Sequence, residues 1–560
     1  MKFPDQDSGS SGNGLREIHP DPFSARRRVR VLLALAALLL GGCATLGPQQ
    51  RAQVAAIAIA ARSVQVDCTQ ADACALASPL RDLGERARAE STAQAPKHYA
   101  RILDRGPDAL LARIHLIRSA RRSIDLQTYI FDEDDSAQLV LDELQAAAFR
   151  GVKVRLLLDQ LSALRKVETL AALASVHANF ELRVYNPVLD RARLSMPMYA
   201  VAAACCWGRL NRRMHNKLYV VDNQIAIVGG RNIGDEYFQV PEQTSFIDAD
   251  LLGVGPVVQE SSKDFDRYWG SLSSYPVELI IPNPSEKELE DLYRKAKGYE
   301  SDEKAQRYVR AMKASGAVQR FLDGDLPWHW VPVRMISDPP AKGLGQARSE
   351  DMLPAKLFNL AGLPEKSMEL ISPYFVPMPE DIEAMADLVQ KGVQLQVLTN
   401  SLAATDVAVV HSGYAGSRIP LLKSGVTIYE WRHSMDSNLM GHREGIGQSS
   451  ASSLHAKTFT IDGKHLFVGS FNFDPRSINL NTECGFIVRS ELLAAQMEEA
   501  FMLAIPFQSY EVRLTPAGSL YWLERREDGQ LIRHDKEPYT NWWKRRSVDF
   551  FSLLPIKWLL

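Results

Sequence analysis

MHNKLYVVDNQIAIVGGRNIGDEY, residues 214 to 237, and LHAKTFTIDGKHLFVGSFNFDPRS, residues 454 to 477, are two versions of one pattern. Each contains His-x-Lys-x-x-x-x-Asp with Gly-Gly/Ser-x-Asn behind it. The first copy supplies His215, Lys217, Asp222, Gly229, Gly230 and Asn232; the second supplies His455, Lys457, Asp462, Gly469, Ser470 and Asn472. Both lie in β-branched and aromatic runs that read as strands, on which a histidine and the lysine two residues later project from the same face. A phosphate could touch both. The aspartates sit about 16 Å further along an extended chain. Asp222-Asn223 and Asp462-Gly463 are hairpin-turn pairs, so these aspartates read as turn and orienting residues. After the turn, the returning strand brings the glycines and Asn232 or Asn472 back beside the histidine and lysine. Further on, Asp250 and Glu483 each begin a strand-like segment and could hold an imidazole by its second nitrogen, with Asp248 competing with Asp250 for that role. A lone histidine is more often a satisfied core or turn residue. Two triplets, 240 residues apart in repeated surroundings, reverse that expectation.

The repetition extends upstream. RSIDLQTYIFDED (122–134), a helical segment and RGVKVRLLLDQ (150–160) precede the first block; KSMELISPYFVP (366–377), a helical segment and KGVQLQVLTNS (391–401) precede the second. Strands alternating with helices predict parallel β-α-β units. The expected fold is therefore α/β, with two pseudo-symmetric half-domains, each a mixed sheet flanked by helices, and one active site at their seam. The halves would span 96–284 and 331–515, joined by a helical linker over 285–330 that opens on the capping-box pair Ser285 and Glu288. A helix-prone, Ala-rich region occupies 44–95, and residues 516–560 form a tail.

With 560 residues and 46% hydrophobic content the chain can bury more than one core. Its 65 basic and 67 acidic residues leave a net charge of −2, without the positive excess of a protein that grips nucleic acid broadly. Six cysteines are too few for a disulfide scaffold, and Cys68 with Cys74 is the plausible pair. No zinc-like Cys/His spacing or acidic cation cluster stands out, so no metal or other cofactor is expected. At the N-terminus, Arg26, Arg27, Arg28 and Arg30 precede the apolar run Val31 to Leu40 and then Gly41, Gly42 and Cys43. The run is about half the length needed to cross a bilayer, so residues 1–43 read as an export signal. Leu40-Gly41-Gly42-Cys43 resembles a bacterial lipobox, with Cys43 as the lipidation site of an envelope protein facing the periplasm, possible at the outer membrane. The tail NWWKRRSVDFFSLLPIKWLL (541–560) mixes aromatics with cations, suiting either a membrane surface or a helix docked on the domain. Arg209, Arg212 and Arg213 before the first motif read as a phosphate entrance or a solvated loop.

The paired blocks resemble the phospholipase D superfamily, over roughly residues 96 to 515. RLNRRMHNK (209–217), GGRNIGDEYF (229–238), ISPYFVP (371–377) and NSLAATDVAVVHSGYA (400–415) resemble more narrowly the bacterial C-type cardiolipin synthases. The resemblance implies metal-independent transfer through a phosphohistidine, with one imidazole as nucleophile and the other as acid and base. It places His215 as nucleophile and His455 as acid/base, the reverse staying open by pseudo-symmetry, and has Lys217, Lys457, Asn232 and Asn472 neutralise the phosphoryl oxygens. The implied reaction is transphosphatidylation from phosphatidylethanolamine to phosphatidylglycerol, on phospholipid substrates at a membrane surface. A hydrolase of the same intermediate (phospholipase or nuclease) and a non-catalytic lipid-binding lipoprotein are the alternatives. The first half carries Arg231 and Gly234 where the second has Phe471 and Asp474, so specialised halves are expected. The loops 188–214 and 433–454, supported by the apolar tail, are the expected walls of the acceptor site.

Overall fold

In the computed structural model, which describes residues 48–60, 79–160, 177–238, 245–281, 328–432, 452–526 and 528–560 and the positions 62–64, 66, 75, 172, 174 and 175, each patterned block is an antiparallel hairpin. Leu218–Val221 pairs with Ile225–Gly229, and Thr458–Ile461 with His465–Gly469. The turns are tight because both central residues take positive φ: 52° and 55° at Asp222 and Asn223, 55° and 62° at Asp462 and Gly463. Each turn carboxylate also staples the start of the neighbouring strand. Asp222 accepts from the backbone N–H of Arg121, Arg122 and Ser123 at 2.7–3.0 Å. Asp462 accepts from Glu365, Lys366 and Ser367 at 2.7–3.2 Å.

Around these hairpins stand two sheets of matching order. The first runs His329–Val331, His98–Leu103, Asp250–Val254, Ile225–Gly229, Leu218–Val221, Ser123–Thr128, Lys153–Asp159, Phe180–Tyr185 and Ser274–Pro276. The second runs Val333–Ser337, Cys484–Arg489, His465–Gly469, Thr458–Ile461, Ser367–Ile371, Gln394–Asn400 and Thr427–Trp431, then three further strands from Ser509–Leu514 onward. Ser123–Thr128, Lys153–Asp159 and Phe180–Tyr185 are parallel neighbours, as are Ser367–Ile371, Gln394–Asn400 and Thr427–Trp431. The remaining pairings are antiparallel, giving mixed sheets with helices.

Side-chain alternation along each strand sorts the core into layers. Tyr219, Val221 and Ile227 face the helices of the first half, and Phe459, Ile461 and Phe467 those of the second. Leu218, Val220 and Val228 point the other way, into a shared layer with Leu466, Val468 and Phe486. The halves thus meet sheet against sheet. A parallel pair of short strands, Ser245–Ile247 and Ser452–Leu454, and a bridge between Met214 and Thr482 stitch the seam beside the histidines.

Among the described residues no helix is long and apolar enough to cross a membrane. Cys205 and Cys206 are joined by a disulfide, a vicinal bridge the sequence reading passed over. The segment 1–43, Cys68, Cys74, residues 285–327 of the expected linker 285–330 and the loop 433–451 lie outside the described residues, and the linker's end is not helical but the edge strand His329–Val331 of the first sheet, paired with His98–Leu103.

Candidate active site

The two stitches place both histidines by main-chain bonds from the opposite half. The His215 N–H donates to the Thr482 carbonyl at 2.8 Å, and the N–H groups of His455 and Ala456 donate to Ile247 at 2.8 and 2.9 Å. The next polar residue on each supporting segment is an acid, Glu483 or Asp248. The imidazoles therefore meet carboxylates across the seam. His215 Nδ1 lies 2.9 and 3.0 Å from the two Glu483 oxygens, and 3.1 Å from the Ser470 carbonyl. His455 Nδ1 lies 2.6 Å from Asp248 Oδ2. A carbonyl only accepts, so the contact with Ser470 puts the proton of His215 on Nδ1 and leaves Nε2 with a free lone pair. The Ser470 hydroxyl donates to Glu483 at 2.5 Å and fixes the carboxylate in turn.

Asp250 does not hold an imidazole. The strand register explains why: Gly229 lies opposite Asp250 as Gly469 lies opposite Gly485. Two residues back on each strand stand Asp248 and Glu483, which makes Asp248 the counterpart of Glu483. Asp250 instead binds Arg113 at 3.0 Å and Arg231 at 3.3 Å, all three buried. Glycine is required beside both acids, since a Cβ at Gly230 would come within 2.1 Å of Asp248 Oδ1 and one at Gly229 within 2.0 Å of Asp250 Oδ1. Arg231 fills the space Phe471 takes in the other half and spends its guanidinium on the carbonyls of Leu103, Asp104 and Asp248.

Both lysines curl back beside their histidines. Lys217 Nζ donates to the His215 carbonyl at 2.8 Å, and Lys457 Nζ donates likewise to that of His455. Asn232 accepts from the Ile130 N–H at 3.1 Å, while the buried Asn472 Oδ1 has no hydrogen-bond partner among the described residues. Aromatic rings seat the imidazoles, with Tyr129 edge-on to His215 at 5.0 Å and Tyr237 and Phe246 at 5.2 and 4.9 Å from His455.

Burial dominates the electrostatics, because every group here loses water. It drives both imidazoles well below their usual range, with the nearby lysines adding to the effect. It brings Lys217 down to about 7 and Lys457 to about 8, and lifts Glu483 to about 7 and Asp248 upward. Neutral imidazoles beside lysines poised to gain full charge suit an incoming phosphodiester, whose anion repays the cost of charging them.

The site opens on a cavity of about 350 Å³ that contains both histidines, Asn232 and Asn472. Lys217 and Lys457 are buried outside its lining, while Asp222 and Asp462 serve the hairpin turns. None of residues 188–214 lines the cavity. Arg213 is instead buried against Asp159 at 3.5 Å, and Arg209 binds Asn186 at 3.0 Å, so the basic run holds its own loop together. The walls come from Tyr374, Asp406, Val407 and Val410, from Asp474, Arg476 and Ser477 at the end of the second patterned block, and from Leu559 with Leu560 of the tail. Arg476 ties the wall together, its backbone N–H donating to Leu560 at 3.0 Å and its guanidinium to Leu559 at 3.2 Å and Asn211 at 3.0 Å. The tail is thus docked, with helix Trp542–Ser552 packed on helix Ala408–Ala415, yet Trp542, Trp543, Phe550, Leu553 and Trp558 remain exposed.

Two facing α/β halves whose paired His-x-Lys motifs converge on one cavity define a phosphodiester-processing centre of the phospholipase D superfamily. Family comparison agrees: "Cardiolipin synthase, PLD-like domain" matches residues 113–269 and 357–503, and the chain belongs to that family. It is 42% identical to cardiolipin synthase C of Escherichia coli strain K12 over 458 residues, 82% of this chain and 95% of the relative. It is 33% identical to an uncharacterized protein of Helicobacter pylori strain J99 over 474 residues, 83% and 91% of the two chains. Among solved structures, phosphatidylserine synthase of Haemophilus influenzae Rd KW20 shares the fold, with a TM-score of 0.55 at 15% identity, covering 85% of this chain and all of that one.

Proposed function

We propose that this protein makes cardiolipin by transphosphatidylation, taking a phosphatidyl group from phosphatidylethanolamine and passing it to phosphatidylglycerol. The observation that carries the reading is the crossed pair of imidazole–carboxylate contacts opening on one cavity. His215 Nε2, its lone pair free, attacks phosphorus, while His455, which takes up a proton when the phosphodiester anion enters beside it and Asp248, gives that proton to the departing ethanolamine oxygen. The bond to His215 forms as the phosphate ester bond breaks. A hydroxyl of phosphatidylglycerol then passes its proton to His455 and attacks the phosphohistidine, which frees His215. Glu483 and Asp248 keep each ring oriented and favour its cationic form when it arises. Lys217, Lys457, Asn232 and Asn472 take the charge on the phosphoryl oxygens. No ATP is needed, because one phosphodiester replaces another.

Export with acylation of Cys43 would keep the enzyme at the envelope membrane. Trp543, Leu553 and Trp558 of the tail and Met196, Val201 and Trp207 of the pre-motif helices are exposed, and they suit contact with an anionic bilayer. With acyl-labelled phosphatidylethanolamine and added phosphatidylglycerol, label is expected mainly in cardiolipin. Label mainly in phosphatidic acid over a range of acceptor concentrations would make the protein a hydrolase instead.

A further inference from the structure

The catalytic centre holds two buried lysines beside its histidines, yet the cavity lining carries a carboxylate at Asp406. Asp406 lies on the segment between strand Gln394–Asn400 and helix Ala408–Ala415, lines the cavity, and forms no ion pair among the described residues. Its carboxylate accepts a hydrogen bond from the Tyr374 hydroxyl at 2.8 Å. Tyr374, Tyr129 and Tyr237 line the same cavity. Asp406 is exposed, and a carboxylate in the lining of this cavity favours a substrate that carries a cation beside its phosphodiester anion. An ammonium group close to a phosphate is such a cation, and aromatic faces with a carboxylate are the chemistry that holds it.

We propose that Asp406, positioned by Tyr374 and walled by the tyrosine rings, is the subsite for the ammonium group of a zwitterionic donor headgroup. The inference rests on the phosphatidylethanolamine-donor reading above and supplies its structural cause. Placement supports it, because Asp406 acts electrostatically on Lys457 and Tyr237, and the Tyr237 ring lies against His455. In-line attack by His215 expels the headgroup on the opposite side of phosphorus, toward His455. The group that protonates the leaving oxygen and the group that holds its ammonium would then stand together. The amine keeps its proton throughout, and only the ester oxygen receives one.

The test compares phosphatidylethanolamine with its N-acetylated form, whose amide carries no charge, as acyl-labelled donors in mixed micelles with phosphatidylglycerol as acceptor. The full-length wild type should favour the free amine in kcat/KM by about tenfold, and Asp406→Asn should reduce that preference to about twofold or less, mainly through KM. Asp406→Glu should recover part of it. Tyr374→Phe, which removes only the positioning hydroxyl, should give an intermediate preference. Equal losses on both donors, or a preference that survives Asp406→Asn, would overturn the subsite while leaving the donor reading intact. A wild type that transfers nothing from phosphatidylethanolamine would overturn both.

Discussion

The two halves place the same strands in the same order around the same motif, yet their histidines sit in different company. His215 has a glutamate fixed by a serine hydroxyl and a carbonyl that sets its tautomer, whereas His455 has a shorter aspartate and two aromatic rings. Where the first half has Gly234, the second has the buried Asp474, which caps its helix at the Ser477 N–H at 2.6 Å and is lifted by burial to about 7. The tail docks on helices of the second half. Pseudo-symmetry supplies the geometry of one phosphorus between two imidazoles, and its local failures divide the labour between them.

The most severe way to break the comparison is to remove either ring. His215→Ala and His455→Ala should each lower transfer by about 10⁴-fold, because nucleophile and proton carrier act in sequence on one phosphorus. Rapid quench with phosphorus-labelled donor should find label on a peptide containing His215; label on His455 would exchange the two roles.

The acids come next. Glu483→Gln and Asp248→Asn should each lower kcat by about 10²-fold with the fold retained, since each leaves its ring without a counter-ion. Asp250→Asn should act differently, because it strands the buried Arg113 and Arg231. It should cost about 3–5 kcal/mol of stability in denaturant titration, with kcat of the surviving folded enzyme little changed. A loss of kcat at full stability in that variant would restore Asp250 to the chemistry.

The pH profile separates the partners more gently. Below about 7 Glu483 takes up a proton and no longer balances an imidazolium; above about 7 Lys217 loses its charge, followed by Lys457 near 8. kcat/KM should therefore peak near pH 7 and fall by up to about tenfold per pH unit on each side. Because Glu483 and Asp474 have folded values raised above their ordinary ones, the stability they contribute is full below the ordinary carboxylate range and is lost as pH rises through about 7. Glu483→Gln should remove the acid limb and leave the basic one. The smallest effect belongs to the tail. Replacing Trp543, Leu553 and Trp558 by serine should weaken flotation with anionic vesicles severalfold while leaving turnover of short-chain, dispersed lipid near wild type.

How much of this was legible in the chain follows from how each part is encoded. The hairpins, the paired histidines and lysines, and the turn role of Asp222 and Asp462 are written in period-two spacing and turn chemistry, and the structure places them accordingly. The choice between Asp248 and Asp250 was not legible, because both point to the same face and only the register opposite Gly229 separates them. The cavity wall was legible only in part: the tail was expected to support it, and Leu559 and Leu560 line it. Tyr374, Asp406 and Arg476 arrive from segments far apart, and no local pattern records that convergence, while the expected wall at 188–214 packs on itself instead. The vicinal Cys205–Cys206 bridge was passed over because adjacent cysteines rarely pair.

Crossed support of the histidines also bears on how the protein is made. As the chain emerges, the first half can build its sheet and present His215 long before Glu483 has been synthesised. Until the second half docks, that imidazole lacks the carboxylate and carbonyl that fix its proton, and the second lysine is absent. A partly folded chain therefore holds no working centre, and reactivity toward lipid switches on only with completed assembly.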